Sequence, residues 1–166
     1  MKNLIFIFLI LSSCVSYELE YPGPDSVYIV FEKGFGVAEN AIMLLQGGFS
    51  HCYLIDNIED STGITTHPAD SQAVRKAIIV NNEYAEGRVI IELKVKSLVQ
   101  VQLMMDKALD NNNGYDYAGA LMRIGDDDKF FCSELVAYCL QWDNYNRYSV
   151  LMVYKRCREI GQVYEH

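Results

Sequence analysis

The chain has 166 residues, 51% of them hydrophobic, and a formal net charge of −8. That length suggests one domain, and that apolar content supports a packed core and excludes intrinsic disorder. Acidic residues are scattered and no basic stripe is present, which excludes a surface built to neutralise phosphates, so nucleic acid is not an expected partner.

The N-terminus, MKNLIFIFLILSSCVS, carries one cation at Lys2 and an unbroken apolar run from Leu4 to Leu11. The run is far short of the roughly 20 residues that span a bilayer as a helix, and it fits the apolar region of a secretory signal. It ends in Leu11-Ser12-Ser13-Cys14, which resembles a bacterial lipobox. The resemblance implies a signal peptide over residues 1–13, a lipidated Cys14 as the new N-terminus, a tether over 14–25 and a folded domain over 26–166. It also implies membrane attachment through the N-terminal lipid, in the cell envelope on the periplasmic or extracellular face. Two acyl chains hold firmly where one is marginal. The alternative is an ordinary secretory signal in which Cys14 is incidental.

Ser26 to Phe31 is rich in β-branched and aromatic residues and predicts a strand. Val37, Ala38, Ala41, Ile42, Leu44 and Leu45 give an apolar helical face, stopped by Gly47-Gly48. Ser50 to Asp56 predicts a short strand and NIEDSTG a turn. ITTH and Ala73 to Val80 predict the next two strands, and Arg88 to Val95 another. Ser97 is a candidate N-cap for a helix reaching Asn112, and the second half of KFFCSELVAYCLQW predicts a further helix. Central strands with helices around them give an α+β class, with an antiparallel sheet packed by helices.

The chemistry narrows to a few residues. Of three histidines, His166 is terminal, leaving His51 at a strand start and His67 before Pro68. A cysteine nucleophile needs an imidazole partner to form thiolate at neutral pH, and the imidazole is usually held by a third polar group. Cys132, His51 and His67 can fill those roles. Cys132 lies near a helix start, where the dipole and unpaired N–H groups favour a thiolate and an oxyanion. Asp126, Asp127, Asp128 and Glu134 work against it, so with an active Cys132 these carboxylates are expected to point to solvent, where screening weakens them. The competing reading makes Cys132 a buried apolar residue like many free cysteines. Cys139, on the stripe of Leu135, Val136 and Leu140, reads as core. Two turns of helix, roughly 10 Å, separate it from Cys132 and forbid their pairing. Cys52 alternates with His51 and faces the opposite side of its strand. Four cysteines beyond Cys14 allow three complete pairings. No zinc-ligand spacing, serine elbow or phosphate loop appears in the sequence, so no metal or nucleotide cofactor is expected.

GGFSHCYLI resembles the histidine box of the circularly permuted NlpC-like papain-fold cysteine hydrolases. YDYAGALMRIGDDDKFFCSELVAYCL resembles their cysteine box, and DSVYIVFEKGFGVAENAIMLLQGG fits the strand and helix that lead into the histidine strand. The group includes the YiiX/YaeF-like bacterial proteins and, more distantly, lecithin retinol acyltransferase relatives. The resemblance spans roughly Asp25 to Trp142 and implies a permuted papain-like fold. It also implies a nucleophile at Cys132, a base at His51 and an orienting residue on the next strand. His67 best matches that last position, with Asp70 and Thr66 as fallbacks.

The expected activity is a cell-envelope thiol hydrolase or acyltransferase. It would act on an amide, ester or thioester of a peptide, peptidoglycan fragment or acyl lipid. The alternative is a non-catalytic binding module on the same fold.

Overall fold

The structure, a computed structural model, describes residues 25–33, 43–44, 48–57, 62–66, 74–78, 88–110, 114–116, 119–120 and 129–165. The signal segment, Cys14, the tether up to Pro24, His67, Asp70 and Asp126 to Asp128 lie outside them. So does the helix expected before Gly47, apart from Met43 and Leu44.

Among the described residues, six strands form one antiparallel sheet in the order β4-β3-β2-β1-β5-β6. They are β1 (Asp25–Glu32), β2 (His51–Asn57), β3 (Thr62–Thr66), β4 (Val74–Ile78), β5 (Val89–Val95) and β6 (Gln162–Glu165). Helices α1 (Leu98–Asp110), α2 (Cys132–Cys139) and α3 (Val150–Ile160) accompany the sheet. The protein is therefore α+β, an antiparallel sheet packed by helices. None of the helices among the described residues is long and apolar enough to cross a membrane.

Strand alternation sorts the side chains into two layers. Val27, Ile29, Phe31, Cys52, Leu54, Ile64, Ile91 and Leu93 share one buried cluster with Val101 and Met105 of α1, Leu135 and Val136 of α2, and Val153 and Cys157 of α3. Val30, Tyr53 and Ile55 form a smaller cluster on the other side. Leu54 and Leu135 are at most 1% exposed, and leaving water is worth roughly 1.5–3 kcal/mol for each such side chain.

Several expectations shift in detail. The turn predicted over NIEDSTG is shorter, because Thr62 and Gly63 already belong to β3. Gly63 permits this: a Cβ there would collide with the Leu54 carbonyl and stand 2.9 Å from the Ile55 Cα, so only glycine fits so close an approach of the strands. Asp25, assigned by sequence to the tether, is the first residue of β1, and its Oδ2 accepts the Leu98 N–H at 2.8 Å. Ser97 caps α1, its Oγ accepting the Gln100 N–H at 3.3 Å. Leu44, expected on the apolar face of the helix before Gly47, is 88% exposed. Gly48 has φ +106 and donates its N–H to the Met43 carbonyl at 3.2 Å, a helix-ending bond of the kind expected of Gly47-Gly48.

Helix α3 and strand β6 were not read from the sequence, although their signals are there. Ser149 caps α3 by accepting the Met152 N–H at 3.2 Å, and Val150, Val153 and Cys157 are buried at helical spacing. Gly161 then lets the chain fold back onto β5, since a Cβ there would stand 2.6 Å from the Glu92 carbonyl oxygen.

Candidate active site

Helix α2 begins at Cys132 because the preceding segment is clamped. Tyr115 bridges Phe130, and the Asp116 N–H donates to the Phe130 carbonyl at 3.2 Å. Asp116 is itself buried, with Oδ1 accepting the Gly119 N–H at 2.8 Å. The Phe130 ring packs 5.0 Å from Tyr138, while Phe131 is sunk in the main core. The two aromatics before the cysteine are both buried in the main core and so fix where the helix starts.

The first turn is anchored from within. Glu134 accepts the Phe131 N–H at 3.4 Å, and Ser133 Oγ donates to the Tyr148 carbonyl at 2.7 Å. Leu135, Val136 and Cys139 are buried as the apolar stripe requires. At the other end Gln141 adopts φ 55, and the Trp142 N–H returns to the Ala137 carbonyl at 2.9 Å, closing the helix. One expectation is corrected here. Glu134 does not point to solvent; it is 1% exposed, because its carboxylate folds back on the helix start to satisfy a backbone donor.

Cys132 meets β2 at its first residues. Pairing of β2 with β3 begins at Leu54↔Ile64, and α2 packs against β2. There the Cys132 sulfur contacts the Cys52 thiol, the His51 ring and the Cys52 backbone N–H. Cys52 does face the side opposite His51, as alternation requires, yet both reach Cys132, which stands at the strand's end.

His51 Nε2 also lies 2.8 Å from Thr65 Oγ1. Thr65 Oγ1 itself donates to the Thr66 carbonyl at 3.4 Å, which leaves its lone pairs to accept from an Nε2–H. His51 precedes Leu54 by three positions and Thr65 follows Ile64 by one, which puts both at the same end of the β2–β3 pair. Thr66 faces away from His51 and is 1% exposed. Of the residues expected to form the site, Cys132 and His51 are together, Thr66 is not on the ring, and His67 and Asp70 lie outside the described residues. Thr65 was not foreseen. Strand parity separates it from Thr66, and that alternation was the available signal.

A second group flanks the imidazole. Glu32 pairs with His51 across β1 and β2. Its Oε1 accepts from Tyr53 Oη at 2.9 Å and from Arg88 Nε at 2.9 Å, with Arg88 Nη2 at 2.7 Å. The Tyr53 ring centroid is 5.8 Å from that of His51. Burial, then the Glu32 charge, pushes the Tyr53 hydroxyl up, so it stays a donor to Glu32 and walls the imidazole.

The four described cysteines differ sharply. All are free and buried. Burial pushes Cys139 and Cys157 up. The Cys132 thiol is held well below the ordinary range, first by the hydrogen bond from the Cys52 thiol; burial opposes this, and the His51 ring and the Cys52 N–H reinforce it. Burial and the neighbouring Cys132 push Cys52 up. Two touching thiols share one ionisation, and it falls to Cys132 because that sulfur alone has the imidazole. Among the described residues, no group of three or more histidine, cysteine or carboxylate side chains is arranged to hold a metal ion. No protein-family model, no curated protein and no solved structure matches the chain.

Proposed function

We propose that this protein is a cell-envelope cysteine hydrolase or acyltransferase of the permuted NlpC-like papain type. The observation that carries the reading is the relay Cys132–His51–Thr65: a thiol with a lowered pKa on one side of an imidazole and a hydroxyl 2.8 Å from its Nε2. The antiparallel sheet packed by helices and the two sequence boxes that resemble the family's support the reading.

In the mechanism, Cys132 thiolate attacks the carbonyl carbon of an amide, ester or thioester. The Cys132 N–H belongs to the helix's first turn, whose donors have no carbonyl one turn back, and it stabilises the oxyanion. His51 imidazolium gives its proton to the leaving group, leaving a thioester on Cys132. His51 then takes a proton from water, or from another acceptor, as that nucleophile attacks the thioester and releases Cys132. Thr65 holds the ring by accepting its Nε2–H. A peptide, a peptidoglycan fragment or an acyl lipid is the substrate class, and a lipid on Cys14 keeps the domain at the membrane.

A second reading, a binding module without turnover, draws on one feature: Cys132 is only 2% exposed and the group on Nε2 is a neutral hydroxyl rather than a carboxylate. A screen of the protein and its Cys132→Ala variant against peptide, peptidoglycan-fragment and acyl-ester substrates decides. Turnover lost in the variant supports the enzyme. Turnover that survives sinks the mechanism, and binding without turnover in either form favours the module.

A further inference from the structure

The mechanism uses Cys132 and leaves the thiol beside it without a task. Cys52 follows His51 on β2, points into the helix-facing layer and is fully buried against the start of α2. Both cysteines lie in one buried cluster where α2 packs on β2, and each is the other's neighbour there. Neither of the other described cysteines is placed for this. Cys139 is two helical turns along α2 from Cys132, roughly 10 Å, and Cys157 lies on α3, away from the α2 start.

We propose that Cys52 is the resolving thiol of Cys132, so that a small peroxide converts the pair to a Cys52–Cys132 disulfide that shuts the site reversibly. The proposal rests on the reading of Cys132 as a reactive thiolate. In the first step that thiolate attacks one oxygen of hydrogen peroxide. An S–O bond forms, the O–O bond breaks, and the departing hydroxide takes a proton and leaves as water, giving Cys132 sulfenic acid. In the second step the Cys52 sulfur attacks the sulfenic sulfur. The S–S bond forms, the S–O bond breaks, and hydroxide leaves with the Cys52 proton as a second water. Two thiols are oxidised by two electrons and one peroxide is reduced to two waters.

The arrangement favours this sequence. The Cys132 negative charge is one cause that keeps Cys52 protonated, and that charge disappears once Cys132 carries oxygen. Burial admits a small oxidant more readily than a bulky one. Without a neighbouring thiol, sulfenic acid proceeds to the irreversible sulfinic and sulfonic acids. The disulfide instead removes the nucleophile from His51 and returns it on reduction.

The test is tandem mass spectrometry of the full chain after graded hydrogen peroxide, with fragmentation that separates Cys132 from Cys139. The expected result is a Cys52–Cys132 cross-link, with two thiols lost per chain and both restored by dithiothreitol. In Cys52→Ala, Cys132 accumulates as sulfinic and sulfonic acid instead. Should that variant not fold, the wild-type map alone decides. The proposal is overturned if wild-type Cys132 goes to sulfinic acid while Cys52 remains a thiol. Iodoacetamide labelling before peroxide separates the two claims. Labelling of Cys132 ahead of Cys139 and Cys157 without a cross-link overturns the resolving role alone. A Cys132 that neither labels nor oxidises ahead of them overturns the nucleophile as well.

Discussion

Replacing Thr65 by valine keeps the shape of a buried side chain, 7% exposed, and removes the oxygen 2.8 Å from His51 Nε2. Both the neutral Nε2–H tautomer and the imidazolium donate to that oxygen, but the charged form does so more strongly. A bond to a charged group is worth about 1.5–3 kcal/mol and a neutral one about 0.5–1.5. The difference, about 1–1.5 kcal/mol, is roughly one unit of His51 pKa at 1.36 kcal/mol per unit. The sign follows: Thr65→Val lowers the pKa of the imidazolium, weakens its pairing with the Cys132 thiolate and so raises the thiol pKa. Titration of the His51 ring by NMR reads the shift directly, with thermal unfolding as the check that the variant is folded. Thr65→Ser should restore the wild-type titration. A folded Thr65→Val protein whose His51 titrates as in the wild type refutes Thr65 as the orienting group. His67→Ala, titrated the same way, then tests the residue the family pattern puts in that place.

Other consequences are independent of turnover. Ser133→Ala removes a fully buried donor 2.7 Å from the Tyr148 carbonyl, which costs about 1–3 kcal/mol. The urea midpoint should fall with the slope unchanged, and an unmoved midpoint contradicts the anchoring role. Glu92 accepts from Ser26, Lys94 and Tyr164, and these bonds, led by that from Lys94, hold its carboxyl at about 2 against an ordinary 4.5. A lowered pKa means the stabilisation is complete above pH 4.5 and is lost as pH falls toward 2. Melting temperatures of the wild type and Glu92→Gln should therefore converge across that window, whereas parallel curves contradict the assignment. Cys14→Ser should release the protein from membranes into the soluble fraction, and retention of the variant counts against lipidation.

The sequence made the sheet legible because its strands are short, β-branched and punctuated by glycine and proline, and because one apolar face per strand is enough to fix their class. It made Cys132 and His51 legible through a helix start and a strand start flanked by recognisable neighbours. Three features were hidden for physical reasons. Thr65 and Thr66 are adjacent and chemically identical, so only the strand's phase separates them. Glu134 carries a charge that composition assigns to solvent, whereas the unpaired Phe131 N–H at the helix start draws it inward. The Cys52–Cys132 contact is a tertiary event, created where α2 meets the start of β2, and no spacing along the chain encodes it. Helix α3 was different, for Ser149 and the Val150, Val153, Cys157 stripe announce it plainly.

The assignment of Cys132 as nucleophile is tested most directly by the pH dependence of iodoacetamide alkylation at each cysteine of the folded chain, with His51→Ala alongside. The predicted result is that Cys132 reacts first, with an apparent pKa well below the free-thiol value of about 8.5, and that His51→Ala raises it. Cys139 and Cys157, pushed up by burial, should stay unmodified until the protein unfolds. A Cys132 that reacts no faster than Cys139, or whose profile is indifferent to His51, contradicts it.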